Sequence, residues 1–172
     1  GHYLDGFCLP TGVQSNIVRD FQGVDDRAVL GQRPAQELAA GGGGEAIGRI
    51  GTLETAVSLD EFAGRVKAVT GAPSVQVADA GRAVYRVALL GGGGSGDVMA
   101  AFAAGADTYL TGELKHNQLT DAPELGMNLI AAGHFYTESI FFDELADELT
   151  DKFPSLSITQ AKSNKDIVSY EV

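Results

Sequence analysis

The chain has 172 residues, with 23 acidic against 12 basic side chains and a formal net charge of −11. Affinity for a phosphate backbone comes largely from clustered Lys and Arg, so this balance argues against general nucleic-acid binding. Hydrophobic residues at 44% and charged ones at 20% are globular proportions, not those of a disordered chain, and no apolar run approaches the roughly 20 residues needed to cross a bilayer.

No basic start followed by an apolar middle marks a signal peptide, and Cys8, the one cysteine, has no internal disulfide partner. The expectation is a soluble cytoplasmic protein with no membrane partner. The chain opens on Gly rather than Met, which points to one processed, tagged or cut from something longer. Its 23 glycines are about twice the average share, and much of the excess lies in two runs, 41–44 and 91–94.

Residues 12–23 (GVQSNIVRDFQG) space Val13, Ile17, Val18 and Phe21 as on one helix face, with Gly23 as a stop. A short strand is expected at 28–30, then Pro34, an Ala-rich piece and the run GGGGEAIG, read as a flexible connector and a domain boundary. Ser58 with Glu61 three places on forms a capping box. It opens a helix in which Leu59, Phe62, Val66 and Val69 recur every three to four residues and which Gly71 closes. Strands follow at 74–78 and 83–90, the second nearly continuous in apolar residues, as expected of a strand buried on both faces.

A glycine loop, a helix at 97–104, a strand at 108–110, a helix around 119–125, a strand at 128–132 and a long helix at about 137–152 complete an alternating pattern. Two last strands are expected at 156–161 and 167–171. Alternation at these short intervals predicts an α/β fold with a mostly parallel sheet and flanking helices.

Three strand-to-helix junctions carry polar residues to one predicted edge of that sheet, where open α/β sheets place ligands. The first is Gly91-Gly92-Gly93-Gly94-Ser95-Gly96-Asp97. It lacks the Lys-Ser or Lys-Thr ending of a P-loop and the third glycine of a dinucleotide fingerprint, which leaves a tight turn and an anion cradle as equal readings. The second, Thr111-Gly112-Glu113-Leu114-Lys115-His116, offers His116 as a base, a phosphate contact or a plain surface histidine. In the third, Gly133-His134-Phe135-Tyr136-Thr137-Glu138, His134 and Glu138 are four apart. On a helical turn they share one side and can offer a nitrogen and an oxygen to one metal ion. Spacing alone favours the plainer reading, in which Glu138 stabilises the helix N-terminus and His134 sits hydrogen-bonded in the core.

Taken together, the segments 94–96, 105–113 (GADTYLTGE), 124–130 (ELGMNLI) and 132–138 (AGHFYTE), preceded by 48–53 (GRIGTL), resemble the carboxyl-terminal half of the Nif-three-like family, whose members include type 2 GTP cyclohydrolase I homologues. The resemblance covers about Gly48 to the end. It implies one lobe of a two-lobed α/β fold, with residues 48–172 as that lobe and 1–47 as a remnant of an amino-terminal lobe that is largely missing, plus the connector.

The resemblance further implies divalent metal ions, two per site, in the cleft between lobes, and a toroidal homohexamer. His134 and Glu138 match the family's Gly-His-x-x-x-Glu ligands, and Asp5 in His2-Tyr3-Leu4-Asp5 matches an aspartate ligand; the family's amino-terminal histidine pair has no counterpart. Asn117 stands where a Lys-His-His variant has its second histidine. The function implied is a metal-dependent hydrolase acting on a nucleotide, with a non-catalytic oligomeric scaffold or metal-binding regulator as the alternative.

Overall fold

The computed structural model describes residues 3–4, 7–8, 29–30, 36–39 and 46–169. The expected helix at 12–23, the connector at 41–44 and Asp5 lie outside the described residues. Two short strands, β1 (Tyr3–Leu4) and β2 (Phe7–Cys8), pair antiparallel with Tyr3 opposite Cys8. Val29 and Leu30 are helical rather than extended, and both are buried among the residues under the main sheet.

That sheet has six strands: β3 (Gln36–Ala39), β4 (Ala46–Val57), β5 (Gln76–Ala78), β6 (Val84–Leu90), β7 (Thr108–Thr111) and β8 (Asn128–Ala131), in the spatial order β3-β4-β6-β7-β8-β5. It corrects the mostly parallel expectation. β6, β7 and β8 run parallel, but β3–β4, β4–β6 and β5–β8 are antiparallel, so the sheet is mixed, with a parallel centre and antiparallel flanks. The reason is non-local. β4 is separated from β6 by α1 (Leu59–Thr70) and β5, and β5 from β8 by two whole βα units, and the local strand-helix rhythm carries no information about the direction in which such strands return; β3 and β4, neighbours in sequence, lie where an Ala-rich piece and a connector were expected.

The remaining helices are α2 (Val98–Ala103), preceded by a 3₁₀ turn at Gly94–Asp97, then α3 (His116–Leu125), α4 (His134–Ser139) and α5 (Phe141–Lys152). The single long helix expected near 137–152 is thus two, meeting at Ile140. The two last strands are absent among described residues 153–169. Ile158 instead packs on Leu145 and Leu149 of α5, whose Phe141, Leu145 and Leu149 recur every four residues as one apolar stripe. No described helix is long and apolar enough to cross a membrane.

Alternation along the central strands builds two cores. Val87, Leu89, Leu110 and Ile130 face Phe62 and Val66 of α1, while Ala88, Tyr109 and Leu129 face Val98, Ala101, Ala122 and Met127 of the opposite layer. With helices on both faces, each central strand is apolar on both sides, which is why β6 reads as a continuous run. As expected, Ser58 caps α1 by accepting from the Glu61 N–H at 3.1 Å, and Gly71 ends it with φ +69°.

Two buried polar side chains pin the amino-terminal ends of these strands. Asp107 accepts from the Arg86 N–H at 2.7 Å, the Tyr85 N–H at 3.1 Å and the Thr108 hydroxyl at 2.9 Å. Asn128 accepts from the Ala80 N–H at 3.0 Å and donates to the Arg82 carbonyl at 2.9 Å. Parallel β6, β7 and β8 are thereby held level, and Leu90, Thr111 and Ala131 stand abreast at the other end.

Tyr109 is fully buried, and its hydroxyl donates to the Gly94 carbonyl at 2.8 Å. Burial pushes its phenol well above the ordinary tyrosine range. A raised folded-state value means that this stability is fully present below the unfolded value of 10.0 and declines as pH rises beyond it. Tyr109→Phe should cost about 1–3 kcal/mol at neutral pH, because the Gly94 carbonyl loses its donor. The deficit relative to wild type should narrow above pH 10.0, where unfolded wild type alone gains the ionised residue, and urea unfolding of both proteins across that range checks it.

Candidate metal centre at the carboxyl edge of the parallel strands

Beyond their last paired residues, β6, β7 and β8 continue into glycines that keep the ladder going. The Gly133 N–H donates to the Gly112 carbonyl, and the Gly112 N–H donates to the Gly92 carbonyl, both at 3.0 Å. The buried Thr137 hydroxyl closes the row. It accepts from the Gly92 N–H at 2.9 Å and donates back toward the Gly133 carbonyl, also at 2.9 Å, the bond a helical threonine makes to the residue four before it.

Two of these glycines resist a side chain for different reasons. At Gly112 the backbone conformation is ordinary, but an added Cβ would lie 2.5 Å from the Gly92 carbonyl oxygen and 2.9 Å from the His134 Cα. At Gly92 φ is +67°, and a Cβ would strike the Glu138 carboxylate and come within 3.2 Å of His134 Nε2.

The glycine loop is therefore the floor beneath His134 and Glu138. Its N–H groups at Gly92 and Gly94 are spent internally, on the Thr137 and Thr111 hydroxyls, so at these two positions the tight turn describes it and the anion cradle does not.

On that floor stands the predicted pair. His134 is the first residue of α4 and Glu138 the fifth, and one helical turn brings His134 Nε2 to 3.1 Å from Glu138 Oε1. The side chains are 46% and 48% exposed, so His134 is not a core histidine.

A third group, which spacing did not single out as a ligand or partner, is Glu113. Its Oε1 lies 3.0 Å from His134 Nδ1, with the side chain 61% exposed. Its signal was the level carboxyl edge: Thr111 pairs with Ala131, which sets the loops after β7 and β8 side by side although Glu113 and His134 are 21 residues apart. Lys115 and His116, where α3 begins, are exposed on the same edge. Gln118 of that helix accepts from the Lys115 N–H and donates to the Ser95 carbonyl, tying α3 to the glycine loop.

The donor set suits a cation. An imidazole flanked by carboxylates at both nitrogens has only one N–H when neutral, so one of its lone pairs faces a carboxylate oxygen unless a proton or a metal ion lies between. Ligand atoms each about 2.0–2.2 Å from an ion lie roughly 3 Å apart when adjacent in its shell. The Nε2–Oε1 separation of 3.1 Å meets that condition. Glu113, on the Nδ1 side of the ring, does not converge on the same point, and among the described residues no group of three or more His, Cys, Asp or Glu is placed to hold a metal ion together.

Gly92→Ala should place a β-branchless side chain in left-handed backbone, which costs roughly 1–2 kcal/mol, and should also displace the pair above it. Thr137→Val leaves the Gly92 N–H unpaired at a cost of about 1–3 kcal/mol. Chemical denaturation gives both losses. The His134 ring resonances should move in both variants, and in Gly92→Ala by more than in any surface control.

A family model described as Duf34/NIF3 (NGG1p interacting factor 3) matches residues 9–167. A Deinococcus radiodurans protein named GTP cyclohydrolase 1 type 2 homolog is 37% identical over 110 residues, covering 64% of this chain and 42% of the relative. A Bacillus subtilis protein of the same name is 40% identical over 105 residues, covering 60% of this chain and 28% of the relative. The chain thus spans less than half the length of these curated relatives.

Among solved structures, a hypothetical protein of Staphylococcus aureus superposes with a TM-score of 0.67 at 27% identity, over 73% of this chain and 43% of that one. A Bacillus cereus protein related to NIF3 gives 0.61 at 28% identity, over 74% and 37%. The mixed six-stranded sheet with its helices is the fold of these neighbours, and the chain belongs to the Duf34/NIF3 family.

Proposed function

We propose that this chain forms the His134–Glu138 side of a divalent-metal site in a metal-dependent hydrolase that acts on a nucleotide. The observation that carries the reading is the 3.1 Å approach of Nε2 and Oε1, half exposed, at the carboxyl edge of the parallel strands. The family supports it, since relatives bear the name GTP cyclohydrolase 1 type 2 homolog. Asp5 is proposed as a further ligand on the strength of the sequence resemblance, and the rest of a two-metal site would come from outside the described residues or from another copy in a ring-shaped homohexamer.

A bound divalent ion would supply a water of lowered pKa and a clamp for substrate oxygens. The chain's own residues do the rest. His134 offers Nε2 and Glu138 offers Oε1, both over a glycine floor that leaves no room for a side chain between sheet and ligands. Lys115 and His116 bring positive or proton-bearing groups to the same edge, where an anionic substrate would lie. The formal charge of −11 favours the metal ion, because a negative surface concentrates cations, and the bound ion would in turn offset the repulsion of an anionic substrate.

A second reading, a metal-binding regulator or scaffold without turnover, is favoured by the presence of just two converging ligand side chains among the described residues. Replacing His134 and Glu138 together by Ala should abolish divalent-metal binding by elemental analysis while far-ultraviolet circular dichroism stays unchanged, because both side chains are half exposed. Unchanged metal content would sink the site. GTP turnover by the metal-loaded protein, lost in His134→Ala, would establish the hydrolase, whereas metal binding without turnover would establish the regulator.

A further inference from the structure

We infer that Glu113 is a positioning residue for His134: it holds the imidazole proton on Nδ1 and so leaves the Nε2 lone pair free for a metal ion shared with Glu138. The inference rests on the proposed metal site and assigns a role to a residue outside the ligand pair.

The argument starts from the ring. A neutral imidazole carries one proton, and the nitrogen that keeps it cannot ligate a metal. Here Oε1 of Glu113 is 3.0 Å from Nδ1 and Oε1 of Glu138 is 3.1 Å from Nε2, so each nitrogen has a carboxylate competing for that proton. The competition is resolved if Glu138 is occupied by the metal. Among the described residues Glu113 is then the one carboxylate acceptor facing the ring, the proton lies on Nδ1, and the lone pair on Nε2 points at the ion. A carboxylate behind a metal-bound histidine also raises the basicity of the ligand nitrogen and fixes the ring's rotation.

The fold makes the placement dependable. Glu113 follows Gly112, whose N–H is locked to the Gly92 carbonyl and whose carbonyl accepts from the Gly133 N–H, one residue before His134. The chain segments that carry Glu113 and His134 are therefore hydrogen-bonded to each other immediately beside both side chains. That coupling is backbone-made and does not depend on the exposed carboxylate itself, so removing the carboxylate should leave the fold in place.

The test uses the full chain with three variants: Glu113→Ala, Glu113→Gln and His134→Ala. Zinc affinity is measured by competition with a chromophoric chelator. The His134 tautomer is read from long-range proton–nitrogen correlations in ¹⁵N-histidine protein, with the resonance assigned by its disappearance in His134→Ala. In zinc-loaded wild type the proton should be on Nδ1.

Glu113→Ala should weaken zinc binding about 10–100-fold. In its metal-free neutral ring the proton should move to Nε2, toward Glu138, the one carboxylate left facing the imidazole among the described residues. Glu113→Gln keeps an acceptor oxygen, so it should retain the Nδ1–H tautomer and recover part of the affinity.

Zinc affinity within twofold of wild type in Glu113→Ala would overturn the inference. So would a loss of affinity with the proton still on Nδ1, since Glu113 would then act only as a distant negative charge. If wild type and His134→Ala bind zinc equally, the metal site itself fails. The tautomer then decides alone: a metal-free wild-type proton on Nδ1 that relocates in Glu113→Ala upholds the orienting role, and one already on Nε2 rejects it.

Discussion

Everything at the candidate site depends on a hydrogen-bonded row of three glycines. Gly133 donates to Gly112, Gly112 donates to Gly92, and Gly92 donates to the Thr137 hydroxyl, which reaches back to the Gly133 carbonyl. A parallel sheet normally frays where its strands turn into loops. Here the ladder runs one step further, and the step is possible because Gly112 has no Cβ to strike the Gly92 carbonyl and Gly92 has none to strike the Glu138 and His134 side chains above it. The consequence is a flat, rigid platform from which α4 starts at a fixed place, with His134 and Glu138 on top.

The two ends of the central strands divide their labour. At the amino-terminal ends, Asp107 and Asn128 spend their polar groups on backbone partners and on the Thr108 hydroxyl and are buried, so their role is register. At the carboxyl ends the polar groups are exposed and face one another rather than the backbone. A buried, fully bonded carboxylate such as Asp107 fastens structure, whereas three half-open acid and imidazole groups add little stability, because exposed ion pairs contribute at most about 1 kcal/mol. Their convergence is therefore not accounted for by what it adds to stability.

Much of this was legible from residues alone, and the losses have identifiable causes. Local signals survived: the Ser58 cap and Gly71 stop of α1, the apolar run of β6, and the four-residue spacing of His134 and Glu138 all encode interactions within a turn or two. Non-local pairing did not survive. β4 returns antiparallel to β6 on one flank and β5 to β8 on the other, and nothing in their own residues announces a direction, whereas the local β3–β4 pair was missed because the glycine run between them reads as a connector. The apolar residues at 156–161 looked like a strand, but Ile158 serves α5 as a cover, and an apolar residue reads alike in either role. Glu113 was visible only as one polar residue in a loop, since its meaning comes from the register of β7 against β8.

The same geometry removes the plain structural explanation of the Gly-His-x-x-x-Glu segment. A glutamate that served the helix N-terminus would sit in the first turn beside unpaired N–H groups. Glu138 is instead the fifth of six residues in α4, with its carboxylate against the His134 ring. A histidine that served the core would be buried, and His134 is 46% exposed with a carboxylate at each nitrogen. Two acids around one imidazole bring more negative charge than a single ring proton can balance. In a chain already at −11, that local surplus is tolerable at an exposed edge, where water and cations screen it, and would be costly in the core. A bound cation, as proposed above, would offset that surplus, and the glycine platform beneath the pair leaves no room for a side chain between the sheet and the two groups.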